Sequence, residues 1–166
     1  LGHDYWQATR DPRPFNAEWA AAARLVVRTF QEQQRIDGPG PYRFQRAAAR
    51  PMETLMEDGW GPPTRKLGMI HSMFRPSDDA CLYPLFVPAN LFAVTTLREL
   101  ATVAREARGD TALAMDATTL AEQVARATAE HGRMRLADGQ EVWAYEVDGF
   151  GNAVFMDDAN VPSLLG

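Results

Sequence analysis

Apolar residues recur at helical spacing in three stretches of the chain, separated by turns rich in glycine and proline. The first stretch covers 16–36, where Asn16 is a suitable N-cap and Glu18 suits the positive end of the helix dipole. Its apolar positions repeat every three or four residues, which predicts one buried face. That face is formed by Trp19, Ala23, Val26, Val27 and Phe30. The run Asp37-Gly38-Pro39-Gly40-Pro41 ends the predicted helix.

The second helix is predicted over 88–108. Pro88 fits the first turn of a helix, where no backbone N–H is needed, and Gly109 ends the element. Its apolar face is formed by Leu97, Leu100, Ala101 and Ala104. The preceding segment, 41–88, shows little periodicity and is rich in proline, glycine and aromatic residues. A loop of that length is uncommon in a compact domain unless it carries function.

The third helix is predicted over 111–131, with Asp110 or Thr111 as its cap. Its apolar positions are Leu113, Ala117, Leu120, Ala121 and Val124. Asp116 is an alternative cap, which would begin a second, shorter helix inside the same stretch. Either arrangement supplies another amphipathic helix with one apolar face.

The pattern changes to short β-favouring runs over 133–156. Turn signals at Asp138-Gly139 and over 148–152 predict an antiparallel hairpin or a three-stranded ribbon. Asn160, Pro162 and Ser163 could begin another helix at the end of the chain. Helices joined by long irregular loops indicate an all-α domain with its chemistry on the loops, plus this small ribbon.

Composition is that of an ordinary soluble globular protein, since 46% of the 166 residues are hydrophobic and 23% are charged. The net charge of −5, with no basic block, argues against nucleic acid as a partner. No apolar run approaches the roughly 20 residues that span a bilayer, so no membrane partner is expected. No signal peptide opens the chain, but the chain begins at Leu1 rather than Met. Cytoplasmic and periplasmic or secreted locations are therefore not distinguished.

Metal and cofactor sites are not predicted. Cys81 is the lone cysteine, which excludes an internal disulfide and the cysteine-rich zinc sites. His3, His71 and His131 are far apart and lack the spacing of metal ligands on a helix. The chain also lacks a P-loop, a dinucleotide fingerprint and a Gly-x-Ser-x-Gly nucleophile motif.

An acidic pair, Asp78 and Asp79, follows Arg75-Pro76-Ser77 and precedes a run that is almost entirely apolar or aromatic. The simpler interpretation is structural. Ser77 or one of the two aspartates would cap a helix that begins near Ala80, and Arg75 would pair with a carboxylate.

The second interpretation of the pair is chemical and starts from its apolar neighbours. These are Phe74, Cys81, Leu82, Tyr83, Leu85 and Phe86. One of two neighbouring carboxyl groups in apolar surroundings tends to stay protonated near neutrality. Glycoside hydrolysis needs such a proton donor, together with a second carboxylate that activates water or attacks the sugar.

Aromatic and polar residues that suit a sugar site cluster in the same irregular region. They are Tyr42, Phe44, Trp60, His71, Arg75 and Tyr83. Trp60, between two glycines, could instead fill a hydrophobic gap. A second acidic cluster, Asp157-Asp158-Ala159-Asn160, could contribute to the pocket or cap a helix, and its spacing does not match a calcium loop.

Taken together, three motifs resemble glycoside hydrolase family 125, the metal-independent exo-acting α-mannosidases. They are "GMIHSMFRPSDDACLYPLFVPANLFAV" from Gly68, "YEVDGFGN" from Tyr145 and "MDDANVPSLLG" from Met156. "GPGPYRFQR" and "LMEDGWGPP" also match loops of that family. The resemblance covers nearly the whole chain, which would be less than half of a family member.

The resemblance implies that 1–166 is a single partial domain, an N-terminal or central piece of an (α/α)6-barrel catalytic domain. It also implies removal of terminal α-1,6-linked mannose from mannose-containing oligosaccharides, with inversion and without a metal. The general acid would be Asp78 or Asp79. Either aspartate can take that role, and the other would then orient its partner or hold a sugar hydroxyl. The candidates for the pocket wall are Trp60, His71, Arg75, Tyr83, Asp157, Asp158 and Asn160. Glu146 and Asp148 could join the pocket or serve the ribbon.

The family's general base is a glutamate beyond the equivalent of Gly166, so this chain alone is expected to lack the base and to be inactive. The missing C-terminal part of the same domain is then a required partner. Two alternatives remain: a carbohydrate-binding module without catalysis, and an (α/α)6 glycosidase with another sugar specificity. Continuation of the open reading frame past Gly166 would favour an enzyme over a binding module.

Overall fold

The computed structural model describes residues 1–165, in which helices account for most of the regular structure. The helices are α1 Gly2–Thr9, α2 Ala17–Gln33, α3 Val87–Arg108 and α4 Thr111–His131. The strands are β1 Leu85–Phe86, β2 Arg133–Arg135, β3 Glu141–Trp143, β4 Glu146–Val147 and β5 Ala153–Val154. Short 3-10 turns cover Pro51–Glu53 and Glu57–Gly59 in the otherwise irregular segment before β1.

Side-chain caps account for two of the predicted helix starts. The Asn16 carboxamide oxygen accepts the Trp19 N–H at 3.0 Å, and the Asp110 carboxylate accepts the Leu113 N–H at 3.1 Å. Helix α4 runs unbroken past Asp116, so the alternative of a second, shorter helix is wrong.

Helix α2 ends three residues earlier than predicted. The Gln34 N–H bonds to the carbonyl oxygens of Phe30 and Gln31, and Arg35 then adopts a left-handed backbone with φ 55°. The Arg35 side chain is buried there, whereas Val26, predicted to lie on the buried face, is 40% exposed. Tertiary burial of Arg35 thus ends the helix before the Asp37–Pro41 breaker.

Helix α1 was not predicted. Of its residues only Trp6 is buried, and its indole packs edge-on against Phe15 with ring centroids 6.2 Å apart. Val103 of α3 completes this small cluster. A helix with one buried residue gives no repeated apolar spacing to detect.

The main core lies between α2, α3 and α4. Its buried residues include Ala23, Val27, Ala93, Val94, Leu97, Ala101, Ala104, Leu113, Ala114, Ala117, Leu120, Ala121 and Val124. Many of these are alanines, which allow close approach of the helix backbones. All five apolar positions predicted for α4 are buried.

The predicted ribbon forms, but it divides between two sheets. Strands β2 and β3 pair as one antiparallel hairpin around the Asp138-Gly139 turn. Strand β4 pairs antiparallel with β5 on one side and with β1 on the other. Phe86 lies opposite Glu146 in this second sheet, so the ribbon is joined to the segment that follows the acidic pair.

The segment 155–165 forms no helix, so the prediction of another helix beginning near Asn160 is wrong for the residues that the structure describes. Throughout that same range, none of the helices combines the length and hydropathy needed to cross a membrane.

Candidate active site

The acidic pair lies on a tight loop, residues 74–80, which we call the acid loop. An antiparallel bridge joins Phe74 to Ala80 at its base. Inside it, the Arg75 N–H donates to the Asp79 carbonyl oxygen at 2.8 Å, and the Asp78 N–H donates to the Arg75 carbonyl oxygen at 3.0 Å. Asp78 has a left-handed backbone, with φ 67°. The loop therefore presents Asp78 and Asp79 at its turn.

The helix expected near Ala80 does not form, because α3 starts at Val87. Arg75 does pair with a carboxylate, as expected, but the carboxylate is that of Glu146 and not that of either aspartate. Asp78 is exposed and Asp79 half-buried, so crowding of the pair by apolar side chains is also wrong for this chain. Cys81 and Phe86 instead face the interior. Within residues 1–165 neither carboxylate accepts a hydrogen bond or forms an ion pair.

A buried ion pair holds the loop from the inside. Arg75 Nε donates to Glu146 Oε1 at 2.5 Å, with side-chain exposures of 9% and 0%. Glu146 Oε2 accepts the backbone N–H groups of Leu82 and Tyr83 at 2.9 and 3.0 Å. The hydrogen bond to Glu146 raises the pKa of Arg75, which stays charged. The Arg75 guanidinium also lies over the Tyr145 ring, 5.6 Å from its centroid.

The second acidic cluster meets the loop from the outside. Ser77 lies close enough to the Asp158 carboxylate to help lower its pKa, and Asp158 Oδ1 accepts the Asn160 backbone and side-chain N–H groups at 3.0 and 2.9 Å. These bonds, that of the Asn160 backbone foremost, lower the pKa of Asp158. The structure therefore brings Asp158 and Asn160 to the acid loop, as a pocket built from both motifs requires.

The Asp157 carboxylate bonds to the backbone of its own segment. Its Oδ1 accepts the N–H groups of Asp158 and Leu164 at 3.0 and 2.9 Å, and its Oδ2 accepts that of Leu165 at 3.1 Å. The carboxylate thus closes the turn over 157–165. Asp148 acts in the same way, because its carboxylate accepts the N–H groups of Phe150 and Asn152 at 2.8 and 3.1 Å. Asp148 therefore serves the ribbon.

One cavity adjoins the acid loop, and a second cavity lies next to the first. The first, about 220 Å³, is lined by Arg75, Cys81 and Leu82, together with residues of the first 3-10 turn and of the segment that follows it. The second, about 450 Å³, contains Trp60 and His71 in its wall. Pro62 lines both, so they are neighbours. The additional residues of the second wall include Arg35, Gly38, Pro39, Glu57, Thr64 and Lys66.

The aromatic residues named from the sequence divide between wall and packing roles. Trp60 is half-buried, with the Arg43 guanidinium 5.9 Å from its ring centroid. Phe44 packs edge-on against Phe74, with centroids 5.4 Å apart. Tyr42 is 42% exposed and lines a third cavity of about 330 Å³ that also includes His71. Trp60 therefore lines a cavity, and it does not simply fill a gap in the hydrophobic interior.

His71 is a fixed, uncharged part of the wall. Its Nδ1 lies 2.8 Å from the Gln33 carbonyl oxygen, which only accepts, so Nδ1 carries the proton. Nε2 then accepts from the Thr64 hydroxyl at 2.6 Å. Burial and the nearby Arg35 charge lower the pKa of His71 to about 4. Both ring nitrogens are engaged, and no group of three His, Cys, Asp or Glu residues suited to a metal occurs in the described part of the chain.

The sequence patterns do not reveal the roles of two residues in this arrangement, Glu146 and Ser77. The sequence places Glu146 in either the pocket or the ribbon, and it indicates no role for Ser77 except that of a helix cap. A signal for Glu146 did exist, since a carboxylate between Tyr145 and Val147 in a short strand needs buried partners. Its partner Arg75 is 71 residues away, and no local pattern identifies it.

Comparison with known proteins agrees with this geometry. The family model for "Metal-independent alpha-mannosidase (GH125)" matches residues 1–166. The "Meiotically up-regulated gene 157 protein" of Schizosaccharomyces pombe is 36% identical over 174 residues, which cover 99% of this chain and 34% of that protein. A solved structure of a metal-independent α-mannosidase from Streptococcus pneumoniae, in a non-productive complex with α-1,6-mannobiose, superposes with a TM-score of 0.92 at 34% identity.

The superposition covers 99% of this chain and 39% of the Streptococcus pneumoniae chain. The chain therefore spans between a third and two fifths of the length of these relatives. The match over residues 1–166, supported by the structural likeness, places the chain in the GH125 family of metal-independent α-mannosidases.

Proposed function

We propose that the whole protein is an exo-acting α-mannosidase that removes terminal α-1,6-linked mannose from oligosaccharides with inversion, and that Asp78 or Asp79 is its general acid. The observation that carries the proposal is the acid loop. It presents two adjacent carboxylates without partners among residues 1–165, on a backbone held by a buried ion pair. A glycosidase needs a carboxyl group that is free to reach the leaving-group oxygen and that is held in place.

The pocket wall is proposed to combine Trp60, His71, Arg75, Tyr83, Asp157, Asp158 and Asn160. Their contacts suggest different duties. Trp60 offers a ring face to a sugar, while Asp158 and Asn160 lie beside the acid loop through Ser77. His71, Arg75 and Asp157 already bond to the protein, so we assign them the shaping of the pocket. The second aspartate of the pair would orient the acid or hold a sugar hydroxyl.

We further propose that 1–166 is one part of a single (α/α)6-barrel catalytic domain. Support comes from the α3–α4 pair, joined by Gly109 and Asp110 alone, which has the form of one helical hairpin of such a barrel. Inversion and exo action follow the family resemblance. The α-1,6 linkage is supported by the mannobiose in the Streptococcus pneumoniae structure.

The deciding experiment incubates the whole protein with α-1,6-mannobiose and follows the released sugar by proton NMR. We expect mannose to appear first as the β-anomer, which later mutarotates, and α-1,2- and α-1,3-mannobiose to be cleaved more slowly. First appearance of the α-anomer would overturn inversion. Binding of mannobiose without release would support a carbohydrate-binding module, and cleavage of glucosides or uronides in its place would show another sugar specificity.

A further inference from the structure

We propose that Glu146 is a positioning residue for the general acid, because it binds Arg75 within the acid loop and the backbone just after that loop. The inference rests on the proposed glycosidase function and extends it to a residue outside the substrate pocket. Glu146 lies on β4, is fully buried, and would reach the reaction only through the loop that it holds.

Each carboxylate oxygen of Glu146 serves a different side of the loop. Oε1 accepts from Arg75 Nε, which is on the N-terminal side of the two aspartates. Oε2 accepts the N–H groups of Leu82 and Tyr83, which follow them. One side chain therefore ties Arg75 to the backbone that follows the loop, in addition to the bridge between Phe74 and Ala80.

The link from Glu146 to the aspartates is short and made of backbone. The Arg75 N–H and carbonyl group bond to the carbonyl of Asp79 and the N–H of Asp78, at 2.8 and 3.0 Å. A shift of Arg75 would consequently move the bonded backbone at Asp78 and Asp79. An error of about 1 Å in the placement of a reacting group can cost about 10²-fold in rate.

Because Glu146 is buried, its negative charge determines how the Arg75 guanidinium is held. A carboxylate that is shielded from water needs a charged partner and several donors, and here it has Arg75 and two backbone N–H groups. Conversion to glutamine keeps the size and an oxygen acceptor but removes the negative charge that orients the Arg75 guanidinium. Glu146→Gln should therefore loosen the loop without emptying the space.

The test measures kcat and KM of the whole protein and its Glu146→Gln variant on two substrates. α-1,6-Mannobiose has a poor leaving group and needs the acid, whereas dinitrophenyl α-mannoside has a good leaving group and does not. For Glu146→Gln we expect kcat on mannobiose to fall by about 10²-fold. We expect KM to change little and kcat on the dinitrophenyl substrate to be largely preserved. The matched control is Glu141→Gln, on β3 of the other sheet in an exposed pair with Arg135, which should behave as wild type.

A parallel loss on both substrates, or no loss on either, would overturn the positioning role and leave Glu146 a structural residue. If Glu146→Gln does not fold, Arg75→Lys replaces it, since lysine keeps the charge but changes the donor geometry. The same selective loss is then expected, and failure of both variants to fold would also overturn the inference. Failure of the proposed function is distinct, because the wild-type protein would then cleave neither mannoside.

Discussion

The chain contains two Asp-Asp pairs, Asp78-Asp79 and Asp157-Asp158, and their surroundings differ. Asp157 accepts three backbone N–H groups, and Asp158 accepts both N–H groups of Asn160. No such bond reaches the carboxylates of the first pair from anywhere in residues 1–165. The same dipeptide therefore closes a turn in one place and presents free carboxylates in the other.

The cause of the difference lies in what holds each backbone. The second pair has to supply its own bonds, because residues 155–165 contain no regular element. The acid loop is held by Arg75 and Glu146, so its aspartates are not needed for stability. A carboxylate becomes available for chemistry when other groups satisfy the backbone around it.

The largest effect is expected from removing charge in the acid loop. In the whole protein, Asp78→Asn or Asp79→Asn should reduce the turnover of α-1,6-mannobiose by on the order of 10²–10⁴-fold, while sugar binding persists. Dinitrophenyl α-mannoside should partly rescue the variant that lacks the acid, which also identifies that aspartate. Asp138→Asn, in the exposed turn of the ribbon, is the control, and near-normal turnover in both acid-loop variants would place the acid elsewhere.

A smaller effect, on stability, is expected from the second pair. Asp157→Ala leaves three N–H groups without their acceptor and should lower the local opening free energy of 157–165 by about 1–3 kcal/mol. Hydrogen exchange measured by mass spectrometry should show faster exchange in that segment and no change in α4. Unchanged exchange together with a large loss of turnover would mean that Asp157 contacts the substrate. The second pair would then not differ from the first pair in serving the structure alone.

Acid pH should weaken the contacts that Asp158 makes with Asn160 and with Ser77 of the acid loop. The pKa of Asp158 lies below its usual value of 3.8, so its bonds contribute to stability above about pH 4 and are lost as the pH falls through the folded pKa. In an NMR pH titration of protein with ¹⁵N-labelled asparagine, the Asn160 amide signal of the wild type should shift with a midpoint below pH 3.8. In Asp158→Asn the Asn160 amide signal should not shift over this pH range. A wild-type midpoint above pH 3.8 would contradict the bonding described.

No effect is expected from chelation. The described residues include no cluster of His, Cys, Asp and Glu able to hold a metal, and the carboxylates of the second pair are occupied by N–H donors. EDTA should leave the turnover of the whole protein unchanged. Loss of activity that calcium or zinc restores would turn attention to Asp157, Asp158 and Asn160 as ligands.

Local patterns predicted the parts of the fold that depend on neighbouring residues. The spacing of apolar residues gave α4 its observed bounds, and Asn16 and Asp110 cap as their positions indicated. Strand β1 was missed because it has two residues and is defined by pairing with β4, about sixty positions later. The end of α2 was missed because burial of Arg35 determines it.

The sequence motifs predicted which residues would lie near the acid loop, but not which contacts those residues make. The motifs named the residues that meet around the acid loop, including Arg75 and Asp158. They did not show that Arg75 turns inward to Glu146, or that Leu164 and Leu165 occupy the carboxylate of Asp157. Such pairings depend on where distant backbone comes to lie, which a residue type does not reveal.

The ion pair between Arg75 and Glu146 also bears on the order of folding, because its members are 71 residues apart. During synthesis, the acid loop leaves the ribosome before β4 exists, and in that interval Arg75 lacks the carboxylate partner that it has in the folded chain. Closing such a long loop has an entropic cost that local helix formation does not have. The helices can therefore form early, while the geometry of the acid loop is completed only after β4 docks beside β1.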